Sequence, residues 1–355
     1  MKTIASDQAG TPSIEQSPPG NLRFDWIVIL LGTWWTGGLF LDGWAHNHLA
    51  RLETFFTPWH AVLYSGFAAC GLFLGAITVK NHAQGYAWRR ALPSGYELSL
   101  LGAFIFGVGG VLDLTWHLLF GIERNVDALL SPTHLILALG LILTISGPLR
   151  SAWRHPLSEQ AESLARLLPA ILSLAYILAI FLMFTQYANP IVHSWADRST
   201  DENLKDLGLA SILLQSAIFM GGVLFALRRW RLPFGTFALL FTINSLVGSI
   251  LATDIPPLPL VALVSAFTGL LVDLLYKTLK PWPERETALH LFAFLTPLLI
   301  QGTYFLTLFA IKGVVWSVNL WMGSIVIAGI AGLLLSYMLV PPQIPTRQSP
   351  TGKQR

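Results

Sequence analysis

Residues 25–79 read DWIVILLGTWWTGGLFLDGWAHNHLARLETFFTPWHAVLYSGFAACGLFLGAITV. Two apolar runs, 25–45 and 55–79, flank a short polar knot. Each run reaches the length of about 20 residues at which a helix spans the hydrocarbon core of a bilayer. A soluble domain has no use for two such runs back to back, so this stretch predicts a transmembrane helix hairpin. Its polar knot gathers Asp42, His46, His48, Glu53 and His60.

The rest of the chain repeats the apolar pattern. Of 355 residues, 54% are hydrophobic and 12% charged, against roughly 25% charged in ordinary soluble domains. Mean hydropathy is +0.60. Ten spans are expected, at 25–45, 55–79, 96–119, 129–149, 166–188, 207–229, 233–253, 257–279, 287–311 and 314–340. The expected fold is therefore all-α, a polytopic helical integral membrane protein with the lipid bilayer as its first partner. Thr57-Pro58 and Ser131-Pro132 each put a capping hydroxyl before a proline suited to the first helical turn.

Residues 1–23 are polar and rich in Pro, Ser and Gly, and they read as a disordered tail. They hold no apolar core behind a basic start, so no cleavable signal peptide is expected. Residues 341–355 read as a second tail. Between the tails, 24–150 holds the first four spans and 151–340 holds six more, read as scaffold or channel. With the N-terminus inside, seventeen of the 22 Lys and Arg fall on inside loops and tails and five on outside loops. That bias places both termini in the cytoplasm of a plasma-membrane protein and the polar knot at the outer face. The isoelectric point near 9.0 comes from those scattered loop charges. No extended basic cluster and no Gly-rich phosphate loop occurs, so nucleic acid is not an expected partner. One cysteine, Cys70, allows no disulfide within the chain.

The polar knot has a counterpart in residues 113–134, DLTWHLLFGIERNVDALLSPTH. Asp42/His46 and Asp113/His117 are both Asp-x3-His. Glu53 and Glu123 follow by seven and six residues, and each stretch ends in hydroxyl-Pro-x-His, at His60 and His134. A glycine pair precedes each aspartate (Gly37-Gly38, Gly109-Gly110). The interval of about 70 residues suggests a duplicated helix hairpin, spans 1–2 and 3–4, a common device in membrane proteins. Residues four apart share a helix face, and the closing His enters the first turn of the next span. Asp42, His46 and His60, and likewise Asp113, His117 and His134, should meet at one depth.

Two imidazoles and a carboxylate suit a divalent transition metal, Cu, Fe or Zn. The aspartates could instead orient the histidines. Glu53 and Glu123 are candidate catalytic acid/base groups or further ligands. If the hairpins pack about a local two-fold axis, all eight groups could merge into one centre. The five methionines lie away from the motif, which disfavours a soft Cu(I) conduit.

The Asp-x3-His-x13-His of Asp42, His46 and His60 resembles the metal motif of the C subunit of the copper membrane monooxygenases, the methane and ammonia oxidisers. That family carries Asp-x3-His-x12-His on membrane helices. Asp113, His117 and His134 have a longer second gap, of sixteen residues, and the resemblance covers about a tenth of the chain. It implies a transition metal held by such a triad within a membrane.

Three function classes follow. One is a membrane metalloenzyme, an oxidoreductase or metal-dependent hydrolase acting on an apolar or membrane-proximal small molecule, alone or with partner subunits or further copies of itself. A second is an ion or proton transporter using the same groups, for which a polar trail through Asn244, Gln301 and Asn319 is sparse support. A third is a haem protein with paired histidines as axial ligands.

Other polar residues have plainer readings. His48 reads as a loop histidine. Trp34, Trp35, Trp44, Trp59 and Trp116 read as an interfacial belt or the wall of a substrate pocket. Gln186, Asn189 and His193 could approach the site from the loop after span 5. Asp273/Lys277 and Glu286/His290, each four apart, read as intrahelical ion pairs.

Overall fold

The computed structural model describes residues 17–49, 55–121, 123, 125–155, 163–252 and 254–340. The tail segments 1–16 and 341–355, and Glu53, lie outside them. Among the described residues every regular element is helical. They are α1 (Leu22–His48), α2 (Pro58–Ala83), α3 (Glu97–Phe120), α4 (Asn125–Leu130), α5 (Pro132–Ile145), α6 (Gly147–Arg154), α7 (Leu164–Phe184), α8 (Glu202–Leu227), α9 (Thr236–Leu251), α10 (Leu258–Leu279), α11 (Glu286–Ile311) and α12 (Val318–Leu339). Two single 3-10 turns lie at Trp88–Arg90 and Gln186–Ala188.

Nine spans among the described residues are long and apolar enough to cross a membrane, with α5 and α6 together making the fourth. The fold is the expected polytopic helical bundle. The expected span 233–253 is the exception in length: α9 has 16 residues, about 24 Å at 1.5 Å each. Its start is fixed by Gly235, whose φ of +92° breaks the helix on the N-terminal side. Pro256 and Pro257 block continuation beyond its C-terminal end.

The capping hydroxyls act as the sequence anticipates. Thr57 accepts from the backbone N–H of His60 and Ser131 from that of His134. Each cap therefore fixes the turn that carries a motif histidine.

Close helix crossings are built on glycine. A Cβ on Gly38 would lie 2.6 Å from the Leu63 Cα, and one on Gly66 2.6 Å from the Trp35 Cα. α1 and α2 can touch backbone to backbone only because those side chains are missing. Gly102 and Gly140 do the same for α3 and α5, where a Cβ on Gly140 would lie 2.6 Å from the Phe106 amide nitrogen.

α7 is the central post. Of its most apolar stretch, 72% is buried, more than in any other span. On one side it packs on α1 and α5, in a core with Trp35, Phe106 and Leu141; on the other it packs on α8 and α9, in a core with Phe237 and Phe292. α12 closes the far side against α8 and α11. Leu30, Phe104, Leu119, Leu263, Leu306 and Met338 stay exposed on the bundle's outside, as lipid-facing residues should.

Two expected ion pairs give way to other contacts. The Asp273 carboxylate is buried and accepts from the Phe237 and Ala238 amides, at 3.3 and 3.0 Å. It caps the start of α9 from the neighbouring helix, satisfying donors that α9 itself cannot. His290 bonds the Ser336 hydroxyl at 2.7 Å and stacks on Tyr337. Neither Lys277 nor Glu286 pairs with the residue four away.

Candidate metal centre

The Gly38/Gly66 crossing sets the last turns of α1 beside the first turn of α2. Asp42 and His46 come from α1 and His60 from α2. The Asp42 Oδ2 lies 3.8 Å from His46 Nε2 and 3.4 Å from His60 Nε2. The Gly102/Gly140 crossing sets α3 beside α5 in the same way. Asp113 Oδ2 lies 3.5 Å from His117 Nε2, and Asp113 Oδ1 lies 3.2 Å from His134 Nε2. In each group one ligating atom per residue falls within 4.8 Å of the other two. Among the described residues the ligating atoms gather as two triads; of the eight groups expected to merge, Glu53 lies outside the described residues. Both triads face one cavity of about 80 Å³, lined by Asp42, His46, His60, Asp113 and His134. Phe55 sits between them, its ring 4.9 Å from that of His60 and 6.0 Å from that of His117.

The far nitrogens of the rings decide the chemistry. His60 Nδ1 is 2.5 Å from the Phe55 carbonyl oxygen. His134 Nδ1 bonds the Ala128 carbonyl. His117 Nδ1 is 3.1 Å from Glu123 Oε2 and 3.3 Å from the Gly121 carbonyl. A carbonyl or carboxylate oxygen can only accept, so each Nδ1 carries the proton. In the neutral ring, Nε2 then presents a bare lone pair, and in all three rings it points at an aspartate oxygen. A lone pair against a carboxylate is repulsive unless a proton or a metal cation stands between them. His117 Nε2 is moreover buried without a hydrogen-bond partner, as is Glu123 Oε2 on the other side of the ring.

The triads are not equal. Asp113 is 1% exposed and accepts from the Thr133 hydroxyl at 2.8 Å. No side-chain hydroxyl donates to Asp42 among the described residues, and Trp59 stands where Thr133 stands in the other stretch. Glu123 accepts from the Trp116 indole and sits on the Nδ1 side of His117. It therefore lies behind the ring, away from Asp113.

Other expected residues divide. His48 bonds the Trp44 carbonyl at 2.8 Å and the Ala252 carbonyl at 3.0 Å, tying α1 to the end of α9; both nitrogens are engaged away from the triads. Gln186 lines the shared cavity and accepts from Asn47 at 2.7 Å, whereas Asn189 and His193 line a different cavity. Trp35 is fully buried in the core and belongs to no interfacial belt.

Three residues of the cavity wall escape a reading by motif. Tyr64 stands one turn after His60 and lies over Gly110, where a Cβ would come within 3.0 Å of its hydroxyl. Phe106 and Met183 complete the wall. Met183 places a thioether beside the triads, against the expectation that all methionines lie elsewhere. The signal for Tyr64 was its i+4 spacing from His60; Met183 had none.

Together the residues can hold cations through two nitrogens and a carboxylate each, in a small cavity walled by aromatic and aliphatic side chains. Comparison with family models, with curated proteins and with solved structures finds no match to this chain.

Proposed function

We propose that this chain is a membrane metalloprotein whose two Asp/His/His triads each hold a divalent transition metal, Cu, Fe or Zn, and that it works as an oxidoreductase or metal-dependent hydrolase. The observation that carries the reading is the shared ring orientation. Three imidazoles set Nδ1 against a fixed carbonyl oxygen, of Phe55, Gly121 and Ala128, and turn Nε2 toward an aspartate. Support of that kind from behind the ring is the usual arrangement around a metal-bound histidine. The nitrogen and oxygen donor set suits Cu(II), Fe or Zn.

Bound there, such a metal would supply Lewis acidity or electron transfer. The protein's own part is positional. His46, His60, His117 and His134 would be ligands through Nε2. Asp42 and Asp113 would be ligands or would balance charge. Thr133 holds Asp113, and the Gly121 carbonyl holds His117, with the Trp116-bound Glu123 carboxylate beside the same ring nitrogen. Leu39, Phe106 and Leu137 keep the cavity dry on its apolar side. At about 80 Å³ the cavity takes a molecule the size of a few waters. A substrate reacting at the triads is therefore small, and a lipid-sized one could not enter. The loop charges support a plasma-membrane location with the triads facing outward. The Asp-x3-His spacing shared with the copper monooxygenase subunit supports copper as the first metal to test.

X-ray absorption on detergent-purified, metal-loaded protein tests the reading. The expected spectrum shows nitrogen and oxygen neighbours with the outer-shell pattern of imidazole. A spectrum without imidazole scattering would refute it. In that event the remaining explanation for the lone pairs is protons in place of metals, and the triads would be a proton relay.

A further inference from the structure

A second, larger cavity opens at the same end of the bundle, between α7, α8, α9, α10 and α11. Its volume is about 750 Å³, within the range of about 300–1,000 Å³ typical of small-molecule sites. The triads do not touch it. Its lower part reaches mid-helix residues, where three primary amides face inward: Gln215, Asn244 and Gln301.

Gln215 and Asn244 have spent both hydrogens of their NH2 groups, and Gln301 one of its two. Gln215 Nε2 donates to the Ala188 carbonyl at 2.9 Å and to Thr185 Oγ1 at 3.0 Å. Asn244 Nδ2 donates to the Leu240 carbonyl at 2.9 Å. Gln301 Nε2 donates to Ser216 Oγ at 3.1 Å. A backbone carbonyl accepts only, so the Gln215 and Asn244 amides cannot be turned over. Their side-chain oxygens, and that of Gln301, accept no hydrogen bond among the described residues. The Gln215 and Asn244 oxygens are thereby fixed as acceptors on the cavity wall, and the Gln301 amide beside them adds a third polar group. Around them the walls are apolar, with Phe219, Phe241 and Val264 among them.

The rim carries no net charge to draw an ion. Arg198 pairs with Asp254 at 2.7 Å, and Lys312 with Asp197 at 3.6 Å. His193 lies on the same rim, and burial together with the nearby Arg198 guanidinium holds its imidazole below the ordinary range, toward the neutral form.

We propose that this cavity binds an uncharged amphiphile, its hydroxyls donating to the side-chain oxygens of Gln215, Asn244 and Gln301 and its chain lying along the apolar wall. The site is independent of the metal reading and stands or falls apart from it.

Equilibrium binding of tritiated monolauroylglycerol to the whole chain tests this, in lauryldimethylamine oxide, a detergent with no hydroxyl to compete. The counter-probe is the same glyceride with both hydroxyls methylated. One saturable equivalent is expected, with the methylated probe at least about tenfold weaker, the worth of a hydrogen bond whose loss leaves a buried acceptor unmet. Asn244→Leu should weaken binding about as much. Val264→Trp, which fills the cavity and touches none of the amides' hydrogen bonds, should abolish it. A far-ultraviolet circular dichroism spectrum like that of wild type and a cooperative thermal transition show that a variant has folded. The proposal is overturned if wild type binds nothing saturably, if the methylated probe binds equally well, or if folded Val264→Trp binds as wild type does.

Discussion

Replacing Thr133 by Val removes one hydroxyl and almost no volume. That hydroxyl donates to Asp113 at 2.8 Å inside a site where the carboxylate is 1% exposed. A hydrogen bond to an ionised group contributes about 1.5–3 kcal/mol, and that sets the upper limit of the effect. Part of it is lost equally with and without metal, since Asp113 faces Thr133 in both states. What remains is the loss of orientation: Asp113 would be free to turn away from His117 and His134. Removing a hydrogen bond that supports a ligating group typically weakens metal binding about 10- to 100-fold, or about 1.4–2.8 kcal/mol, within that limit.

The prediction is specific because the triads differ. Asp42 has no hydroxyl donor among the described residues and does not touch Thr133, so its site should not change. Titration of metal-free protein against a chromophoric chelator should show two equivalents in wild type. In Thr133→Val one equivalent should weaken by about 10- to 100-fold and the other stay put. Thr133→Ser, which keeps the hydroxyl, should restore the wild-type curve. If both equivalents weaken together, or neither does, Thr133 does not act through Asp113 and the separation into two sites is wrong.

Two further outcomes are expected. Gly38→Ala would press a methyl to 2.6 Å from the Leu63 Cα; overpacking of this kind costs about 1–3 kcal/mol and should lower the thermal midpoint and the metal content together. Gly37→Ala, with nothing within 4 Å of its new Cβ, should change neither. His193 is held below its ordinary value of 6.5, so below that pH the unfolded chain binds more protons than the folded one and stability falls with pH. In thermal melts across this acid window, His193→Gln should lose less stability than wild type, and an equally steep loss would remove His193 as a contributor.

Much of this could be read from the chain. Apolar runs placed the spans because a bilayer demands about 20 apolar residues whatever the neighbours are. The caps at Thr57 and Ser131 are local, decided within one turn. Each triad was legible because Asp-x3-His is a helix-face spacing and Pro-x-His marks the next helix start. What eluded the sequence depends on packing between distant segments. Met183 reaches the cavity only because α7 runs through the middle of the bundle. Asp273 looks like half of an ion pair with Lys277, yet it faces α9 across a helix contact that no spacing announces. The separation of the triads follows from two glycine crossings, one per hairpin, and from Phe55 lying between the histidines. Glu123 falls on the back of His117 because of the turn at Gly121, whose φ of +83° bends the chain there.

The most direct test is metal content by plasma mass spectrometry on detergent-purified protein, wild type beside a His60→Ala/His134→Ala double variant. The account predicts close to two equivalents of one transition metal in wild type and a loss of both in the variant. No metal in wild type after expression in metal-replete medium, or an equal amount in the variant, would contradict it.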